Sequence, residues 1–99
     1  MAKTQLLEND DGTHKLLVFW CPGCQREHPF TVASTTRNPW TWNGDRERPT
    51  CEPSLLVEPN RPQDRCHLFL RDGVIQFLDD CHHALKGQSV PLPDMPEDA

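Results

Sequence analysis

No segment of this 99-residue chain is apolar for the length of a membrane span, and residues 1–11 hold no apolar run of signal-sequence length. Neither a membrane-embedded nor a secreted protein is expected, and the expected location is the cytoplasm. Positive charge is scarce: ten Lys and Arg face fifteen Asp and Glu, for a formal net charge of −5. Nucleic-acid binding is dominated by phosphate neutralisation, so DNA or RNA is not an expected partner. Arg37, Arg46, Arg48, Arg61 and Arg65 crowd the middle of the chain but are interleaved with carboxylates, as on a solvated mixed-charge surface. Only 35% of the residues are hydrophobic and ten are proline. One domain of this size then has a thin core and needs a disulfide, metal or oligomeric staple. The five cysteines are odd in number, which disfavours a closed disulfide framework. Reduced cytosolic thiols bind metals instead.

What is present is a set of soft-metal donors in clusters. Trp20-Cys21-Pro22-Gly23-Cys24 is followed by His28, Cys66-His67 and Cys81-His82-His83. Cys-x-x-Cys grips one ion from a tight turn, and Gly23 suits a knuckle that needs positive φ. The second ligand pair has to come from farther along. Cys66–Arg71 and Val74–Asp79 alternate around Asp72-Gly73, a strong two-residue hairpin turn. In that hairpin Leu70 faces Ile75 and Leu68 faces Phe77, and Cys66 and Cys81 meet at the open end. The expected zinc ligands are therefore Cys21, Cys24, Cys66 and Cys81, with His67, His82 or His28 as alternatives. Cys51 and His14 lie outside any ligand spacing.

Leu16–Trp20, Phe30–Val32 and Leu55–Val57 read as further short strands. Asp80 reads as the cap of a short helix over residues 82–86, stopped by Gly87. The fold class expected is small and β-rich (β or α+β), zinc-ribbon-like, with antiparallel hairpins and one short C-terminal helix. Residues 1–90 form a single zinc-stapled domain and residues 91–99 a flexible acidic, proline-rich tail.

Four competing chemistries come into question. A thioredoxin-like reading of Trp-Cys-x-x-Cys needs a following helix, which Gly23 and Pro29 oppose. A zinc deaminase needs His-x-Glu before Pro-Cys-x-x-Cys, and a zincin needs His-Glu-x-x-His; neither is present. A zinc hydrolase remains as the alternative, with His67, His82, His83 and Asp80 as its catalytic candidates. Trp40 and Trp42, two indoles in a polar stretch, either cover the core or anchor a protein partner.

As a set, Phe19–Cys24 with His28, Trp40–Asp45, Arg48-Pro49-Thr50 with Pro53-Ser54-Leu55, Cys66-His67 with Phe69, and Asp80–Leu85 resemble a family of small Cys/His-rich zinc-binding proteins of phages and prophages. Such proteins are often labelled ammonia monooxygenases, a label without support in a chain that has no transmembrane helix. More distantly, the Cys-x-x-Cys, Pro-Ser and Cys…His-Phe elements resemble metal-binding proteins encoded beside bacterial ubiquitin-like conjugation genes. The resemblance implies Cys21, Cys24, Cys66 and His67 or Cys81 as metal ligands and leaves Cys51 out. The resemblance implies no particular reaction; the function expected from the chain as a whole is that of a phage- or prophage-encoded zinc-binding accessory or host-modulating factor in the host cytoplasm, with a host or phage protein as partner. A zinc hydrolase and a virion or assembly component are the alternatives.

Overall fold

The computed structural model describes residues 2–96. Eight strands, β1 (Thr4–Glu8), β2 (Lys15–Cys21), β3 (Arg26–Ala33), β4 (Thr41–Trp42), β5 (Cys51–Val57), β6 (Cys66–Arg71), β7 (Val74–Phe77) and β8 (Ser89–Pro91), form two antiparallel sheets. One has the order β1-β2-β3 and the other β4-β5-β6-β7-β8. Both contribute to one hydrophobic cluster, Leu17, Phe19 and Phe30 from the first and Leu55, Leu68, Leu70, Ile75 and Phe77 from the second. Among the described residues no helix is long and apolar enough to cross a membrane.

The β6–β7 hairpin has the register read from its turn: Leu70 pairs with Ile75 and Leu68 with Phe77. Asp72 (φ 50°) and Gly73 (φ 74°) are both left-handed, as a twist-matched two-residue hairpin requires. The Cys66-Leu68-Leu70 face enters the core, so His67, Phe69 and Arg71 face the other way.

Strand β5 begins earlier than its apolar residues suggest. It pairs Cys51 with Leu70 and Leu55 with Leu68, so Glu52, Pro53 and Ser54 stand opposite Phe69 alone. This register shift is a bulge, a common device for re-aiming a side chain. Leu55 is buried, so Ser54 and Leu56 share the outward face, and Leu56 pairs with His67.

The expected C-terminal helix is absent. Residues 79–87 run as consecutive turns. Asp80, read as the helix cap, spends its carboxylate on His67, and the Leu85 N–H donates to the His83 ring instead of entering a helical ladder. Competition of this kind from a nearby side chain is what unmakes short helices. Of the tail read as flexible, residues 97–99 lie outside the described residues. Residues 91–96 pack back: Leu92 is buried, its N–H donates to the Gly73 carbonyl at 2.9 Å, and Asp94 pairs with Lys3 at 2.9 Å.

Candidate active site and metal centre

The β2–β3 knuckle and the start of β6 bring four donors together. Phe19 pairs with His28 across β2 and β3, and Cys21 lies two residues on along the same face. The Sγ atoms of Cys21, Cys24 and Cys66 and a ring nitrogen of His28 lie within 4.8 Å of one another. Such a group could hold a metal ion, and two observations fit one. His28 is 1% exposed, and among the described residues its Nε2 has no hydrogen-bond partner. A buried orphan nitrogen of this kind is rare and calls for a ligand. The thiols, in turn, compete for ionisation. The hydrogen bond from Cys66 holds Cys21 down at about 3, and the same bond pushes Cys66 upward. Burial, with the Cys21 charge nearby, pushes Cys24 up to about 11. One negative charge is thus shared among three thiols, and a divalent cation is what lets all three ionise.

A second group, Cys66, Cys81 and His83, also lies within 4.8 Å. Hydrogen bonding separates its roles. The Leu85 N–H donates to His83 Nδ1 at 3.2 Å, so the neutral ring carries its proton on Nε2, which faces Cys66 Sγ at 3.6 Å. Burial holds the His83 pKa below its ordinary value and keeps the ring neutral. His83 is therefore a donor to the Cys66 sulfur, the kind of supporting contact that orients a ligand. Gly23 makes room for it: a Cβ there would strike the His83 ring, and it is Gln25, with φ 56°, that takes the knuckle's left-handed conformation. His82 Nε2 lies 3.3 Å from Cys24 Sγ. Cys81 accepts from the His67 N–H at 3.3 Å and donates to the His67 carbonyl at 3.2 Å. Of the four thiols expected to ligate, then, Cys21, Cys24 and Cys66 gather with His28, and Cys81 sits beside Cys66 on the His67 backbone.

The opposite face of β6 carries a different arrangement. His67 Nδ1 is 3.2 Å from Asp80 Oδ2, and its Nε2 is 3.0 Å from Ser54 Oγ. The carboxylate fixes the proton on Nδ1, leaving Nε2 to accept from the Ser54 hydroxyl. Ser54 reaches this position through the β5 bulge, His67 through β6, and Asp80 through the turn after β7, where Leu78 N–H bonds the His67 carbonyl at 2.9 Å. The His67 side chain is partly buried and that of Asp80 exposed, at 24% and 43%. Sequence reasoning named both but missed Ser54. Its available signal was Pro53-Ser54 in an otherwise strand-like stretch, a sign of a bulge.

Both indoles serve the chain itself. Trp42 Nε1 donates to the Asp45 carbonyl at 3.1 Å and Trp40 Nε1 to the Ser54 carbonyl at 3.3 Å. Cys51 is fully buried, which pushes its thiol up to about 12, and it stands apart from both donor groups. A cavity of about 360 Å³ lies outside the thiols, lined by Cys24, Arg26, Glu58, Arg61, Asp64 and His82. None of Ser54, His67 and Asp80 borders it.

No curated protein and no solved structure matches this chain. A family match covers residues 1–78, which include Ser54, His67 and the four metal-centre donors and stop short of Asp80. With that match spanning most of its length, the chain belongs to the family described as bacterial ubiquitination-like system serine protease (BubE).

Proposed function

We propose that this protein is a serine protease of a bacterial ubiquitination-like system, folded around a structural zinc ion. The observation that carries the reading is the pair of hydrogen bonds through one imidazole, Ser54 Oγ to His67 Nε2 at 3.0 Å and His67 Nδ1 to Asp80 Oδ2 at 3.2 Å. Ser54 Oγ attacks the carbonyl carbon of the scissile amide while His67 Nε2 takes its proton. The imidazolium, stabilised by Asp80, returns that proton to the leaving amine, and an acyl-Ser54 ester forms. Water, deprotonated by His67, then releases the carboxylic acid and restores the serine.

Cys21, Cys24, His28 and Cys66 would hold the zinc. Three thiolates and one imidazole are a closed structural set, whereas a catalytic zinc keeps a position for water. The set joins the β2–β3 knuckle to the open end of the β6–β7 hairpin, in the manner of a zinc ribbon. This reading is preferred to an accessory role without catalysis because both indoles that would anchor a partner are engaged within the chain. It is preferred to a zinc hydrolase because His67 and Asp80 bond to Ser54 and to each other.

A fluorophosphonate, which phosphorylates activated serines, tests it. The expected result is a single adduct on Ser54 by peptide mass spectrometry, lost in Ser54→Ala and slowed roughly a thousandfold or more in His67→Ala. An unlabelled protein, or a label on another serine, rejects the reading.

A further inference from the structure

A nucleophile on a bulge has lost part of the ladder that fixes an ordinary strand residue. On the β6 side, the register shift sets Glu52, Pro53 and Ser54 against Phe69. On the β4 side, pairing covers only Cys51 and Glu52. What reaches Ser54 there is a side chain: Trp40 Nε1–H donates to its carbonyl at 3.3 Å. The indole is held from several directions. Its backbone N–H donates to the Thr31 carbonyl at 2.8 Å, its ring meets Phe30 edge-to-face at 5.7 Å, and the Arg37 guanidinium stands 5.6 Å from the ring centre. Phe30 is itself fully buried and stacks on Phe19 at 5.6 Å.

We propose that Trp40 is a positioning residue for the nucleophile: its indole N–H fixes the Ser54 backbone, and through it the aim of Oγ, against the packed core of the first sheet. The inference rests on the serine-protease reading and extends it to a residue that touches no reacting atom. Catalysis tolerates little misplacement, about 1 Å being worth roughly a hundredfold in rate, so an indole bond to the serine's own backbone bears on turnover.

The test replaces Trp40 with 3-benzothienylalanine, which keeps the bicyclic ring and puts sulfur where the N–H was. Trp42, whose N–H serves Asp45, receives the same replacement as the control. The zinc-loaded full chain is titrated with a fluorophosphonate, separating maximal labelling rate from half-saturating concentration. For position 40 the expected result is a maximal rate at least about tenfold lower, with half-saturation and melting temperature unchanged; position 42 labels at the rate of the unaltered protein. Equal rates at position 40 and in the unaltered protein, or equal losses at both positions, overturn the positioning role while leaving the protease reading standing. An unaltered protein that takes no label at Ser54 overturns the protease reading, and the positioning role with it.

Discussion

His67 has neighbours on two sides that do different work. Its side chain joins Ser54 to Asp80, while its backbone N–H and carbonyl are both bonded to Cys81 Sγ. Asp80 is the member of the trio with the weakest claim to full strength. Where the carboxylate of such a trio is buried, its change to Asn costs about 10⁴-fold in turnover. The Asp80 side chain is 43% exposed, and water competes with it for the Nδ1 proton, so the tautomer depends on it less strictly and Asp80→Asn is expected to slow Ser54 labelling by roughly a hundredfold rather than the full amount. Pre-steady-state labelling of wild type and variant decides it; an unchanged rate removes Asp80 from the machinery. At this scale the sequence was half legible. Cys-His and Asp-Cys-His-His announce reactive groups by their chemistry. Ser54 does not, because a serine acquires meaning only from what stands 3 Å away, and that neighbour lies 13 positions along the chain.

The element that makes both sites possible is the β6–β7 hairpin. Strand alternation sends Cys66 to the thiols and His67 to Ser54, and a slip of one residue would exchange those faces. The turn fixing the register is tightly built. Gly73 has φ 74°, its N–H bonds the Pro49 carbonyl at 3.0 Å, and a Cβ on it would stand 3.2 Å from the Arg48 Cα. Gly73→Ala therefore meets both backbone strain and a backbone neighbour, and is expected to cost about 1–2 kcal/mol. Urea unfolding measures it: the midpoint falls, the slope stays, and Ser54 labelling per folded molecule holds. A midpoint equal to that of wild type contradicts the strain argument. This hairpin was legible in the sequence because Asp-Gly and alternation say the same thing. Strand β1 was not, since Thr4-Gln5-Leu6-Leu7-Glu8 buries only Thr4 fully and resembles a polar leader. The helix read over 82–86 failed because its cap, Asp80, has a stronger partner in His67 than in the following backbone.

Across the whole molecule, the candidate metal donors come from both sheets: Cys21, Cys24 and His28 belong to the β2–β3 unit and Cys66 to the other sheet, so an ion held by them would cross-link the two. An ion at a thousandfold excess over its dissociation constant adds about 4 kcal/mol to folding, which for a domain of this size is roughly 15–30 °C in melting temperature. The protonation of the thiols then fixes how this stabilisation depends on pH. Without metal, the bond from Cys66 holds Cys21 low, while Cys24 is pushed up to about 11 and Cys66 is pushed up by the same bond, so Cys24 and Cys66 are the two thiols expected to keep their protons at neutral pH. Ligation requires thiolates, so binding expels the protons of Cys24 and Cys66. Raised pKa values of this kind mean that acid opposes binding and base favours it. Affinity should therefore rise about a hundredfold per pH unit between pH 6 and 8, two protons being released per ion. Competition against a chelator of known affinity at pH 6, 7 and 8 gives the slope, and calorimetry in buffers of different ionisation enthalpy counts the protons. A flat profile would mean that the thiols are already ionised in the metal-free protein, and that the shared charge described for the cluster does not exist. A slope of two, with the melting temperature climbing in step, is expected if these thiols bind the ion that holds the two sheets together.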